Sequence, residues 1–373
     1  MKKLWYAIAT ILGGVIGAGI LGIPFAFAKA GILYGMINLA IVALLILTVY
    51  LYMGEVMLRT KGIHQLTGYA EKYLGKIGKG FMAFALIFGI YGALIAYLIG
   101  IGDIMSAWLG GNAFFYITAF FIIFSGLIYA GIKAVSKSEF IFSYLKIAVF
   151  IALAVSLIAF FKPVNLAAMQ FSWKTSLLPY GVVLFSMMAF PSLPEAREIL
   201  INEEKSLKKV LIISTIIPAL VNGLFALFLT GALGKSIGEV AIVSLNSIGY
   251  LQFVLGFLFA LLAMATAYLS LGLALHEMYE YDYKFSHNLA FFVTCIVPYV
   301  AIILGIKDFV KTLSIVGAVA GGITAILIVM MFRKAKNIGE RHPEYTINKS
   351  NIINLILVLL FLAGIAYELI FVF

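Results

Sequence analysis

The chemistry this sequence offers first belongs to its backbone. Two apolar stretches are rich in residues that weaken a helix: Ile11-Leu-Gly-Gly-Val-Ile-Gly-Ala-Gly-Ile-Leu-Gly-Ile-Pro24 and Leu178-Pro-Tyr-Gly-Val-Val-Leu-Phe-Ser-Met-Met-Ala-Phe-Pro-Ser-Leu-Pro194. In hydrocarbon every freed N–H or C=O must find another partner. Unwinding near Gly17–Gly19 would expose the amides of Ala18, Gly19 and Ile20 at the start of the next half-helix, whose positive end suits a carboxylate. Unwinding near Phe185–Ala189 would free carbonyls of Phe185, Ser186 and Met187 that suit an ammonium. One place offering both would bind a zwitterion. The competing reading is close helix packing through Gly13 and Gly17, and through Gly14, Ala18 and Gly22. Pro24 directly after the cluster, and a second interruption about 165 residues on, favour the site.

Side chains able to do ion chemistry inside apolar runs are few. Lys146 sits seven residues into the run 140–161. A mid-membrane ammonium costs roughly 2.5 kcal/mol or more, so it faces protein and has a role, unless it snorkels to a nearby surface. Thr266 and Ser270 share one helix face at a spacing of four, and either line an ion locus or bond their own carbonyls. Phe185 and Phe190 flank the second break and suit an apolar ligand, with lipid contact as the alternative. Glu195 and Arg197 read as local partners, and Glu368 as a group reaching the membrane interface. His64, His276, His287 and His342 fall in or beside polar loops, none at metal-ligand spacing from another. Cys295 is the single cysteine, which excludes an internal disulfide. No phosphate loop, nucleophile elbow or paired-cysteine motif occurs, so no enzyme, metal or cofactor is expected.

These groups need a membrane bundle to hold them. The 373 residues are 64% hydrophobic and 11% charged, more apolar surface than a soluble domain can bury. Apolar runs near 4–28, 32–58, 80–109, 114–132, 140–161, 177–200, 207–232, 248–275, 288–305, 309–332 and 351–373 read as helical spans. Segments of about ten alternating residues, the mark of a barrel, are missing. The stretch 60–79 reads as a short interfacial helix, and residues 1–28 offer no isolated leader-cleavage site.

With the N-terminus in the cytoplasm, nineteen of the 26 lysines and arginines fall inside. Lys29, Lys162, Lys174, Lys235, Lys307 and Lys311 fall outside, and Lys146 lies within a span. The net charge of +10 is thus a topology signal with some attraction for anionic lipid, not a nucleic-acid footprint. Eleven spans place the C-terminus outside and divide as five, five and one. Each group of five opens on a broken helix, and an odd number forces opposite orientations. The expected units are therefore residues 1–161, an inverted repeat at 162–335, and a loop with an extra span at 336–373.

Gly17-Ala-Gly-Ile-Leu-Gly-Ile-Pro-Phe-Ala-Phe resembles the first span of the amino acid/auxin permease branch of the amino acid–polyamine–organocation superfamily. Phe259-Ala-Leu-Leu-Ala-Met-Ala-Thr-Ala-Tyr-Leu-Ser-Leu-Gly-Leu and Ser206-Leu-Lys-Lys-Val-Leu-Ile-Ile-Ser-Thr-Ile-Ile-Pro218 resemble spans eight and seven of bacterial tryptophan and tyrosine permeases. The resemblance implies an all-α, leucine-transporter-type fold with unwound first and sixth spans, alternating access, and ion-coupled amino acid uptake across the cell membrane. It also implies that span three supplies a side wall, hence Tyr91 and Tyr97, and that Lys146 stands where sodium-coupled relatives hold their ion, with Thr266 and Ser270 beside it. The same fold brings Lys3 and Trp5 near Asp282, so that a Lys3–Asp282 pair could close an inward path; solvated surface charge is the alternative. Two departures keep substrate choice open: Thr266, Ala267 and Ser270 replace a Thr-Ser pair and later Gly, and Phe190-Pro191 replaces a His-Gly pair.

The expectation is a transporter of neutral, hydrophobic or aromatic amino acids, proton-coupled, with the amino acid and the bilayer as its partners. Sodium coupling or exchange on the same fold is the first alternative. A channel lacks support because no selectivity sequence or ring of charge occurs.

Overall fold

The computed structural model describes residues 2–15, 17–131, 134–166 and 172–372, and the side chains of 134–144 and of Asp282 lie outside the described set. All regular structure among the described residues is helical. Helices α1 (Lys2–Val15) and α2 (Gly19–Ala30) form a bent pair, followed by α3 (Ile32–Arg59), α4 (Leu66–Leu109), α5 (Ala113–Tyr129) and α6 (Ala134–Ile158). A second interrupted pair, α7 (Pro179–Met187) and α8 (Ser192–Ile199), precedes α9 (Leu207–Leu233), α10 (Tyr250–Glu277) and α11 (His287–Ile303). The chain ends with α12 (Phe309–Ile338) and α13 (Asn351–Val372). Among the described residues seven helices are long and apolar enough to cross a membrane, eight with the bent pair; α5, α11 and Leu145–Ile158 of α6 are shorter apolar helices.

Local chemistry sets the boundaries. Asn112 Oδ1 accepts the Phe114 amide at 2.9 Å to start α5, and Ser286 and Ser350 cap α11 and α13 by accepting from Leu289 and Ile353. Gly75 adopts φ 75° and ψ −169°, a conformation open to glycine, and breaks α4 into an outer piece and a long apolar helix. Of the stretch 60–79, expected as one short helix, residues 60–65 are not helical and the outer piece begins at Leu66.

The two interrupted pairs lie side by side and antiparallel: α1 packs on α8, and α2 on α7. Around them α3 runs along α9, α6 along α10, α4 meets both α10 and α12, and α13 covers α12. Close approach relies on missing side chains. A Cβ on Gly317 would overlap the Gly181 carbonyl, so α7 touches α12 backbone to backbone. Residues Gly317–Gly321 of α12 form a π turn at that contact.

Charges are buried where they tie segments together. The Glu55 side chain is fully buried and accepts from Arg59 Nε at 2.8 Å, Lys336 Nζ at 2.6 Å and the Ile347 amide at 2.6 Å. Tyr345 donates to Leu51 O at 2.7 Å, so the loop 339–350 is strapped across the end of α3. On the outer side of that loop Lys72 Nζ and the Lys61 amide donate to Glu340, holding its carboxyl below the usual carboxylate range.

Glu368 corrects the sequence reading. It does not reach an interface: it is fully buried, and its Oε1 accepts the Gly181 amide at 3.0 Å. The absence of a side chain on Gly181 lets the carboxylate approach the start of α7, whose unbonded amides favour an anion.

Glu55→Gln removes the charge that two cations face inside the bundle. We expect a loss of about 3 kcal/mol, seen as a lowered melting temperature in detergent, with faster proteolysis of the loop 339–350.

Candidate functional site

The first interruption falls between Val15 and Gly19, where α1 and α2 are bent by 58°. Ile16 lies outside the described residues. Gly17 N–H donates to Val15 O and Leu21 N–H to Ala18 O, both at 2.9 Å. Ahead of Leu21, the amides of Gly19 and Ile20 have no earlier turn of α2 to bond, and they carry its positive end.

The second interruption covers Met188–Pro191, between α7 and α8. This is later than the unwinding expected at Phe185–Ala189. Met188 N–H still reaches Leu184 O at 3.1 Å, so the helix persists through Met187; Pro191, with no N–H, cannot extend it. The ladder ends at Ala189, whose amide donates to Tyr50 Oη at 2.6 Å. The Tyr50 hydroxyl in turn donates to Met187 O at 3.1 Å. Phe185 O therefore loses its helical donor, and Ser186 O would need the amide of Phe190, which sits in the turn beyond the helix.

A cavity of about 120 Å³ opens where the interruptions cross. Gly14, Val15, Gly17 and Gly19 bound it from α1–α2, and Phe185, Met188, Ala189, Phe190, Pro191 and Ser192 from α7–α8. Thus the ends of all four half-helices touch it: two positive and two negative. The far wall is α4, from Ala85 to Tyr97, closed by Leu271 of α10 and by Ala320 and Thr324 of α12. Among the described residues no Asp, Glu, Lys or Arg lines it. The two pairs touch without clearance beside the cavity, since a Cβ on Gly19 would stand 2.8 Å from Ser186 Cα.

Of the residues singled out from sequence, Gly17, Gly19, Phe185 and Phe190 line this cavity. Ala18, Ile20, Ser186 and Met187 are buried around it without lining it. Ser186 Oγ donates to Val183 O at 2.9 Å and accepts from Asn222 Nδ2 at 3.0 Å. Tyr97 lines the wall, whereas Tyr91 turns away: its hydroxyl meets Tyr279 Oη at 2.9 Å and donates to Val293 O at 3.0 Å. The six-residue offset puts the two tyrosines about 240° apart around α4.

Lys146 is buried, 4% exposed, and its ammonium donates to Thr266 Oγ1 at 3.2 Å. Thr266 donates onward to Leu262 O at 2.7 Å, so its hydroxyl serves the lysine and its own helix at once. Ser270 lies one turn further along α10. Lys3 Nζ donates to Ile201 O at 2.9 Å, Trp5 is 61% exposed, and the side chain of Asp282 lies outside the described residues. Arg197 is buried and donates to Gly62 O, Thr60 O and Tyr69 Oη, fastening α8 to the turn after α3.

A helical bundle interrupted twice around an uncharged cavity is the architecture of a membrane transport protein of the leucine-transporter type. The same fold is seen in the crystal structure of MhsT in complex with L-phenylalanine, with a TM-score of 0.67 at 15% identity, covering 98% of this chain and 97% of that one. A sequence model of the tryptophan/tyrosine permease family matches residues 1–370, and the chain belongs to that family. It is 25% identical over 371 residues to tyrosine-specific transport system 1 of Haemophilus influenzae, covering 92% of this chain and 91% of the relative. It is 22% identical over 335 residues to glutamine transporter 2 of Aliivibrio fischeri, covering 85% of each. The protein is thus a multi-pass amino acid permease, not an enzyme.

Tyr50, Asn222 and the π turn Gly317–Gly321 escape the sequence reading. Asn222, a lone amide inside an apolar run, and the glycine-rich run Gly317-Ala-Val-Ala-Gly-Gly322 carried a signal of the kind used elsewhere. Tyr50, one of 20 tyrosines, carried none.

Two substitutions test this geometry. Gly19→Ala forces α2 and α7 apart at a backbone contact that cannot rotate away, which should cost about 1–3 kcal/mol of amino acid binding, measured by titration in detergent. Tyr50→Phe leaves the Ala189 amide and Met187 carbonyl without their partner, and should lower thermal stability by about 1–3 kcal/mol.

Proposed function

We propose that this permease imports neutral amino acids with hydrophobic or aromatic side chains by alternating access, coupled to protons. The observation that carries this reading is the uncharged cavity at which four half-helix ends converge. The amide of Gly19 at the positive start of α2 holds the carboxylate, the carbonyl of Phe185 near the end of α7 holds the ammonium, and Tyr97, Phe185 and Phe190 enclose the side chain. A cationic or anionic side chain would be desolvated there without a counter-charge. Ser192 and Thr324 on the wall, and the relative that is a glutamine transporter, favour a second reading in which an amide side chain is accepted.

Coupling is assigned to Lys146. The burial of its ammonium between α6 and α10 and its bond to Thr266 support a role in place of a transported cation; losing and regaining its proton would alternately loosen and tighten that contact. The alternatives are a sodium-coupled symporter and an exchanger. We further assign residues 1–161 and 162–335 as inverted repeats, supported by the packing of α1–α2 on α7–α8, α3 on α9 and α4 on α10. The distribution of basic residues supports a cytoplasmic N-terminus in the cell membrane.

Uptake into proteoliposomes, screened over all amino acids with pH and sodium gradients imposed separately, decides among these. We expect accumulation of large neutral substrates driven by an inward proton gradient and indifferent to sodium. Lys146→Met should abolish gradient-driven accumulation while retaining counterflow. Uptake that requires sodium at every pH would refute proton coupling, and uptake of lysine or glutamate would refute the neutral site.

A further inference from the structure

Away from the cavity, folding gathers a ligand set that linear spacing hides. His276 ends α10, Glu280 lies one turn later in the π turn Met278–Asp282, and His287 opens α11. One donor atom from each lies within 4.8 Å of the others. Glu280 Oε2 is 3.2 Å from His287 Nδ1 and 3.7 Å from His276 Nδ1. Four ligands held tetrahedrally at zinc bond lengths of about 2.0–2.1 Å stand about 3.3 Å apart, so this spacing needs little adjustment.

The second ring nitrogens define what the first ones offer. His276 Nε2 lies 3.3 Å from His287 O, and His287 Nε2 lies 3.3 Å from Tyr129 O. A carbonyl only accepts, so each Nε2 carries a hydrogen and each Nδ1 is the atom that faces Glu280. With both rings neutral, three electron-pair donors face one another and attract a cation between them. A ring nitrogen donating to a backbone carbonyl is also how metal-bound histidines are oriented. The His276 side chain is 5% exposed and that of His287 44%, which gives one supported wall and one open path for an ion.

We propose that His276, Glu280 and His287 form a binding site for a divalent transition metal of the zinc class. Two imidazoles and one carboxylate suit zinc and its neighbours rather than calcium or magnesium, and three protein ligands leave one position for water. Occupancy would staple the connection 278–286 between α10 and α11 and, through Tyr129 O, to the end of α5. None of the three ligands lines the cavity described above.

The test uses full-length protein carrying no polyhistidine tag, stripped with chelator and titrated with Zn²⁺ against a chromophoric chelator. Metal content is measured after gel filtration, and melting temperature is followed in parallel. We expect one zinc per chain and a zinc-dependent rise in melting temperature. His287→Ala, at the more exposed ligand, should weaken binding by at least ~100-fold, beyond the effect of losing an outer-shell partner, and His276→Ala likewise. Glu280→Gln should weaken it by at least ~10-fold. His64→Ala and His342→Ala should change nothing. No zinc retained by the unaltered protein, or retention undiminished in His287→Ala, would overturn the proposal and leave protons as the cation that the cluster holds.

Discussion

Backbone groups cannot be left bare in an apolar interior, and this structure depends on how two interruptions meet that constraint. At the second, one tyrosine hydroxyl does most of it: Tyr50 accepts the Ala189 amide and donates to the Met187 carbonyl, standing in for the turn the helix fails to make. At the first, Gly17 and Leu21 amides fold back onto Val15 and Ala18, which leaves Gly19 and Ile20 at the open start of α2. The open helix ends of both interruptions meet at the crossing, where they border the cavity.

That arrangement requires α2, α7 and α12 to touch along their backbones. Gly19 meets Ser186, and Gly181 meets Gly317, at distances that leave no room for a methyl group. Apolar side chains would separate the helices and fill the cavity together. The glycines form a packing seam and also border the cavity, so the two readings of the first motif are not exclusive. The π turn at Gly317–Gly321 belongs to the same seam, since its wider coil presents backbone rather than side chains to α7.

Among the described residues charge is used around the cavity and not in its lining. Lys146 leans on Thr266, Arg197 fastens α8 to the turn after α3, and Glu55 with Arg59 and Lys336 straps the loop 339–350. Each lies where one helix must hold its place against another. The cavity wall is left to dipoles and aromatic rings, which neither repel a zwitterion nor bind it irreversibly.

Much of this was legible in the amino-acid order, because a membrane demands it. Length and hydrophobicity determine each helix to within a few residues, and glycine and proline determine that the first and sixth must break. Gly17, Gly19, Phe185 and Phe190 could be named for the same reason: their effect is on their own segment of backbone. Properties that depend on two distant segments were not written in either. Tyr50 looks like any tyrosine until α3 is laid beside α7, and Tyr97 rather than Tyr91 faces the cavity because of the rotation of α4 about its axis. Met188, still able to bond Leu184, moved the second break later than composition alone implies. Glu368 is placed by contact with Gly181, and His276 meets His287 only when α10 and α11 turn back on each other. Sequence by itself determined which segments are helical and which two of them fail; tertiary structure alone decided which groups face one another, because rotation and proximity are properties of pairs of segments.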